Sequence, residues 1–200
     1  VGPDGVDLVT GAIEIGTLQY AAAQRLSDNY PQIPFPEGWK ANLLGVDLNL
    51  QYPAGWLRAR EIKFSQGYTR PGPRDYVGRA PLNQRESIAL ADFTQEIDPA
   101  LVLAYHTQGK VIYWQFQDYA VPGARALGEE FARLSGYELS DTPYESSFAG
   151  YKDWFIQKFR RPGYTIEAGS GQNPLPIEQF PEIYRDNLGI LVTAALGLPH

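Results

Sequence analysis

The sequence predicts an α/β domain, a three-layer α/β/α arrangement around a mixed, mostly parallel sheet. Three observations carry this expectation. Short apolar segments alternate with segments of helical period, the pattern that βα units produce. Residues 100–105 (Ala-Leu-Val-Leu-Ala-Tyr) form an unbroken apolar run, as in a strand covered on both faces. No repeat, low-complexity tract or charge block divides the 200 residues, so a single domain over residues 1–200 is expected.

Strands are expected at 43–48, closing at Asn49, then at 100–105, at 111–116 after the Gln108-Gly109 turn, and at 163–168. Helices are expected at 17–26, at 82–97 (apolar at Ile88, Leu90, Ala91 and Phe93), at 122–134, at 148–159 and at 177–196. The third of these opens on Pro122 and stops before Gly136, the usual asymmetry of helix ends. Residues 53–78 are rich in Pro, Gly, Arg and Tyr and lack clean periodicity, so they are expected to form an ordered, functional surface loop.

Composition narrows the function. There are 23 acidic against 17 basic residues and no Lys/Arg stripe that could track a phosphate backbone, which excludes a nucleic-acid partner. The absence of cysteine excludes disulfides and thiolate metal sites. No apolar run reaches the roughly 18 residues of a membrane span, and no signal-peptide pattern is present. The chain has no methionine and opens on Val1-Gly2-Pro3-Asp4-Gly5, a turn sequence that reads as the cut end of a longer protein.

The candidate chemistry starts at Glu167. It ends an alternating apolar strand just before Gly169-Ser170-Gly171, and a carboxylate placed there is costly unless paired or used. Strand ends that open into loops are where open α/β sheets keep their ligand sites. Of the two histidines, His200 is terminal and expected to be inert. His106 ends the apolar run 100–105, where it suits a metal ligand or acid/base group, although alone it reads first as a hydrogen-bonded structural histidine. Asn49 and Tyr144 are expected at a strand end and in a loop of the same sheet.

These segments resemble the zinc metallocarboxypeptidases. Gly45-Val46-Asp47-Leu48-Asn49 is similar to the family's GVDLN signature, and Tyr105-His106-Thr107-Gln108-Gly109 to the segment that supplies its third zinc ligand. Ala149-Gly150-Tyr151-Lys152-Asp153-Trp154 resembles its Gly-Gly-x-x-Asp-Trp segment, and Glu167 follows Asp153 by the family's 14 residues. Pro3-Asp4-Gly5 matches a turn found partway along such domains. The resemblance spans nearly the whole chain in consistent order, and is nearest to the bacterial γ-D-glutamyl-L-diamino acid endopeptidases, which cut peptidoglycan stem peptides.

The resemblance implies roles. His106 would be a neutral imidazole ligand to Zn²⁺, whose open position holds a water. Glu167 would act as general base on that water and return its proton to the leaving amine. Asn49 would hold a substrate carboxylate, Tyr144 would close over the substrate with a one-residue shift in spacing, and Lys40 stands roughly where the family has an arginine.

Two departures matter. Leu50 occupies the position of the arginine that many relatives place after the Asn, so a branched or γ-linked peptide is expected rather than a simple C-terminal substrate. The replacement cation could be Lys40, Arg58, Arg60, Arg70 or Arg74. The His-x-x-Glu motif that supplies the first two zinc ligands is absent, which implies that the N-terminal part of the domain is missing and that zinc cannot be completed from this chain. The expected partner is therefore a peptidoglycan stem peptide, met either by a peptidase or by a catalytically incomplete binding module.

Overall fold

The computed structural model describes residues 2–197, and the chain gathers into two compact units. One comprises the residues up to Asp98 with Phe148–Tyr151, and the other Pro99–Ser147 with the residues from Lys152 on.

The first unit is helical, with α1 (Pro3–Thr10), α2 (Leu18–Ser27), α3 (Trp56–Ser65) and α4 (Arg85–Ile97). The opening residues are helix rather than turn: Pro3 takes the first helical position, Asp4 lies in the first turn, and Gly11 ends α1 in the left-handed region. In α2 the Thr17 hydroxyl accepts the Tyr20 N–H at 3.2 Å, an N-cap. Leu8, Ala23, Trp39 and Ala41 form the local core, with Tyr20 edge-on to Phe35 at 5.2 Å.

Residues 53–78 do contain a helix, α3, which their mixed composition hid. The rest of the segment is ordered by buried polar straps. Fully buried Gln51 donates to Val77 O at 2.6 Å and accepts from Asn83 N at 3.1 Å, and the Trp56 indole donates to Val77 O at 3.2 Å.

The strand expected at 43–48 does not form, and Asn49 lies instead in a 3₁₀ turn, Leu48–Leu50. The reason is local competition for the backbone. The Asn42 side-chain oxygen accepts the N–H groups of Leu44 and Val46, and the Asp47 carboxylate accepts that of Asn49, so side chains take donors a ladder would need. Gly45 adds a positive φ of 72° and passes so close to Gly72 that a built Cβ would lie 2.7 Å from its nitrogen.

The second unit carries the sheet, built from β1 (Val102–His106), β2 (Val111–Tyr113), β3 (Glu138–Ser140) and β4 (Gly163–Glu167) in the order β1-β4-β2-β3. The β1/β4 and β2/β3 pairs are parallel and β2/β4 is antiparallel, so the sheet is mixed and mostly parallel as expected. β2 is shorter than the predicted 111–116, and β3, short and polar, left no periodic signal.

Helices α5 (Ala124–Ser135), α6 (Tyr151–Phe159) and α7 (Phe180–Leu196) complete the layers. Pro181 in the first turn of α7 explains why the predicted helix from 177 divides into a 3₁₀ turn, Ile177–Gln179, and an α-helix. On one face of the sheet Ile112, Tyr164 and Ile166 meet Leu127 and Phe131 of α5 and Ile190 of α7. Burial of each large side chain in this cluster contributes about 1.5–3 kcal/mol. On the opposite face α6 covers the start of β4, where a Cβ built on Gly163 would lie 3.3 Å from Ile156 and Lys152. No helix among the described residues is long and apolar enough to cross a membrane.

Candidate active site

Strand alternation decides where Glu167 points. Tyr164 and Ile166 face α5 and α7, so Gly163, Thr165 and Glu167 belong to the opposite face. His106 is the register partner of Glu167 in the parallel β1/β4 pair, and therefore shares that face. With neighbouring strands about 4.8 Å apart, the two side chains rise side by side at the C-terminal ends of parallel strands. α6 covers only the beginning of this face, roughly four residues or 13 Å away along the strand, and both His106 and Glu167 remain partly exposed.

The loops beyond the two strands are tied down. Ala168 N donates to His106 O at 2.8 Å, Gly109 N to Gly169 O at 2.9 Å, and the Asn173 amide to Thr107 O at 2.9 Å. The Gly-Ser-Gly turn after Glu167 is clamped by the Gln179 amide, which donates to Ser170 O at 2.8 Å and accepts from Ser170 N at 3.2 Å. Lys110, at the turn into β2, donates to Glu182 and Asp186 of α7 at 2.8 and 3.1 Å, and these bonds hold its ammonium up to about 12.

Tyr113 is a member of the site that the sequence reading passed over. It pairs with Thr165 on the Glu167 face, and its hydroxyl is pushed above the ordinary tyrosine value first by burial and then by the charges of Glu167 and Glu138. Its odd-numbered position in 111–113 was the available signal, legible only once the β2/β4 register was known. Tyr144 lies apart from this ladder, exposed on a 3₁₀ turn, Tyr144–Ser146.

Asn49 and Lys40 belong to the first unit, where hydrogen bonds draw their backbones to one segment. The Asp47 carboxylate accepts Asn49 N–H at 3.1 Å through Oδ1 and Asp75 N–H at 3.0 Å through Oδ2. Lys40 N and Ala41 N both donate to Pro73 O, at 2.7 and 2.8 Å. Asp75 in turn holds Lys63 at 2.6 Å and Arg74 at 2.7 Å. Burial works against the Asp75 carboxylate, but the bonds and charges of Lys63 and Arg74 prevail and hold it below the usual range. The Asp47 carboxyl is raised, first by burial and then by Asp75.

The zinc expectation meets a test in the donor set. Structural and catalytic zinc takes three or four protein ligands, and among the described residues no three His, Cys, Asp or Glu side chains converge on one point. His106 supplies one imidazole, and His200 lies outside the described residues. The residues present here do not hold the ion by themselves.

Sequence and fold comparisons agree on ancestry. The zinc carboxypeptidase family model matches residues 1–189. The chain belongs to that family. It is 50% identical over 197 residues to gamma-D-glutamyl-L-diamino acid endopeptidase 1 of Lysinibacillus sphaericus, an alignment that takes in 96% of this chain and 46% of that protein. The chain thus spans about half the length of the curated relatives it matches. Bovine thrombin-activatable fibrinolysis inhibitor in complex with tick carboxypeptidase inhibitor has the same fold (TM-score 0.56, 14% identity, 76% of this chain and 56% of that one). So does murein-tripeptide amidase MpaA from Escherichia coli O157 (TM-score 0.52, 22% identity, 76% and 59%). Membership and fold agree with the resemblance carried by residues 45–49, 105–109 and 150–154.

Proposed function

We propose that this chain is part of a peptidase that hydrolyses the γ-D-glutamyl-diamino acid bond of peptidoglycan stem peptides, with Glu167 as the proton carrier. The observation that supports it is the His106/Glu167 pair, in register on one face at the C-terminal ends of adjacent parallel strands. A carboxylate so placed can take a proton from an attacking water and deliver it to the departing amine nitrogen, while the clamped 169–171 turn keeps it oriented. Asn49, Lys40 and Tyr144 are assigned to substrate binding. The substrate class is that of the Lysinibacillus relative, whose name specifies the γ-D-glutamyl-L-diamino acid bond.

His106 is assigned as this chain's ligand to the family's zinc, with the further ligands coming from outside the described residues. The incomplete donor set favours a second reading for the chain alone, a module that binds the stem peptide without cutting it.

The test is Glu167→Gln, assayed on L-Ala-γ-D-Glu-meso-diaminopimelate-D-Ala. General acid–base catalysis contributes roughly 10²- to 10⁴-fold, so kcat should fall by that order while peptide affinity persists. Undiminished kcat would remove Glu167 from the mechanism. A wild-type protein that binds the peptide and never cuts it would establish the second reading. In a protein that also carries the family's remaining ligands, His106→Ala should lower bound zinc in elemental analysis, and unchanged zinc content there would refute the ligand assignment.

A further inference from the structure

Leu50 leaves the turn at Asn49 without an adjacent cation, and the structure distinguishes among the five cations that could replace it. Arg58 is engaged by Glu61 at 2.8 Å, and Arg60 lies over the Phe64 ring at 4.4 Å. Arg70 is fully exposed and held only through its backbone, whose N–H and C=O both bond the Tyr30 hydroxyl. Lys40 is anchored by its backbone to Pro73, and its ammonium offers no planar fork.

Arg74 differs from all of these. Its Nε donates to Asp75 Oδ2 at 2.7 Å, and among the described residues its two Nη groups carry no hydrogen bond or ion pair. The side chain is 38% exposed, so the fork reaches solvent while its stem is held. The other oxygen of Asp75 is occupied by Lys63 at 2.6 Å, so one carboxylate is shared between two cations and does not neutralise Arg74 alone. The enclosed Asp47 carboxylate is the further acidic group of the cluster, and its two oxygens are taken up by the N–H groups of Asn49 and Asp75. That same carboxylate links the Arg74-Asp75 segment to Asn49, whose side-chain amide is exposed and makes no hydrogen bond among the described residues.

We propose that Arg74 is the specificity-determining residue that grips a free carboxylate of the stem peptide through its two Nη groups. A guanidinium fixed at Nε presents two parallel donors that match the spacing of a carboxylate, and less rotamer freedom is lost on binding because the side chain is already held. The inference rests on the stem-peptide reading above. Three carboxylates of that peptide have the required chemistry: the α-carboxylate left free by the γ-linked D-glutamate, the C-terminal one, and the distal one on the diaminopimelate side chain.

The experiment is calorimetric titration of the purified protein with five tripeptides: L-Ala-γ-D-Glu followed by meso-diaminopimelate or L-lysine, each with a free or amidated C-terminus, and the free meso-diaminopimelate peptide with D-isoglutamine in place of D-glutamate. Removing the gripped carboxylate should weaken wild-type binding roughly 10- to 100-fold, the range of a charge-assisted pair of bonds. The peptide series shows which carboxylate it is. In Arg74→Gln that discrimination should disappear, while kcat on any cleaved peptide changes less than KM. Arg74→Lys keeps the charge without the fork and should discriminate more weakly than wild type. It also carries the test if Arg74→Gln does not fold, as read by circular dichroism.

Wild-type discrimination that persists undiminished in folded Arg74→Gln, or in Arg74→Lys, overturns the proposal. So does wild-type binding that ignores all three carboxylates. Discrimination without turnover sinks the peptidase reading and leaves Arg74 standing, whereas turnover with Arg74-independent discrimination does the reverse. Absence of binding by all five peptides overturns both.

Discussion

Replacing Asp75 with asparagine should destabilise the fold measurably, because its carboxylate is shared by two cations. Its side chain is 13% exposed, and it receives Lys63, itself only 15% exposed, at 2.6 Å and Arg74 at 2.7 Å. Breaking a buried pair by deleting one charge costs about 3–5 kcal/mol, because the remaining charge is left without compensation. Two features move the value to the low end. Arg74 can turn to water, and removing the Asp75 charge relieves the repulsion that raises Asp47. A loss of about 3 kcal/mol lowers Tm by roughly 6–12 °C in a chain of this length. The assay is thermal unfolding followed by circular dichroism at neutral pH, repeated at descending pH. The folded-state pKa of Asp75 is depressed, so its contribution is complete above the unfolded value of about 3.9 and declines as pH falls below it. The gap between wild type and Asp75→Asn should therefore narrow under acid conditions. A neutral-pH change in Tm under about 2 °C, the scale of a solvent-exposed pair, would refute the account of Asp75 as a buried hub. A gap that widens on acidification would refute the assigned sign.

Two further predictions concern the parts that position the site. Phe131 is fully buried and edge-on to Tyr164 at 5.0 Å beneath the strand that ends in Glu167. Phe131→Ala should cost about 3–5 kcal/mol in urea denaturation, and a loss under about 1 kcal/mol would show that the α5–sheet interface is not the main core of that unit. Gly45→Ala forces a Cβ to within 2.7 Å of Gly72 N at a φ of +72°. It should destabilise by more than the roughly 1 kcal/mol of a simple Gly-to-Ala strain and raise proteolysis in 69–78, and an intact Tm would mean that the two loops part without cost.

Local side-chain bonds overturned the expectation at residues 43–48 for a definable reason. Leu43, Leu44, Val46 and Leu48 have the composition of a strand, and apolar content is what a sequence reader sees. Which donor meets which acceptor is not visible: Asn42 and Asp47 satisfy the backbone locally, and among the described residues no strand pairs with this segment. Helix α3 escaped notice for the opposite reason. Its residues Trp56 to Ser65 have weak amphipathic order, since buried Trp56, Ala59 and Ile62 share the helix with four charged side chains.

The local sequence by itself determined the β1 and β4 strands, helices α4 to α7 to within a turn, and the place of His106 and Glu167 at strand ends. Continuous apolar runs, caps and a strand-end carboxylate are properties of adjacent residues. Only the tertiary structure decided that these two residues are register partners on one face, since the pairing of strands 61 positions apart depends on which neighbour completes the ladder. It alone also decided that Arg74, rather than Arg58, Arg60, Arg70 or Lys40, combines an open fork with a side chain anchored at Nε. A guanidinium's availability is set by the partners that the folded chain brings to it, here Asp75 at Nε and none at Nη among the described residues.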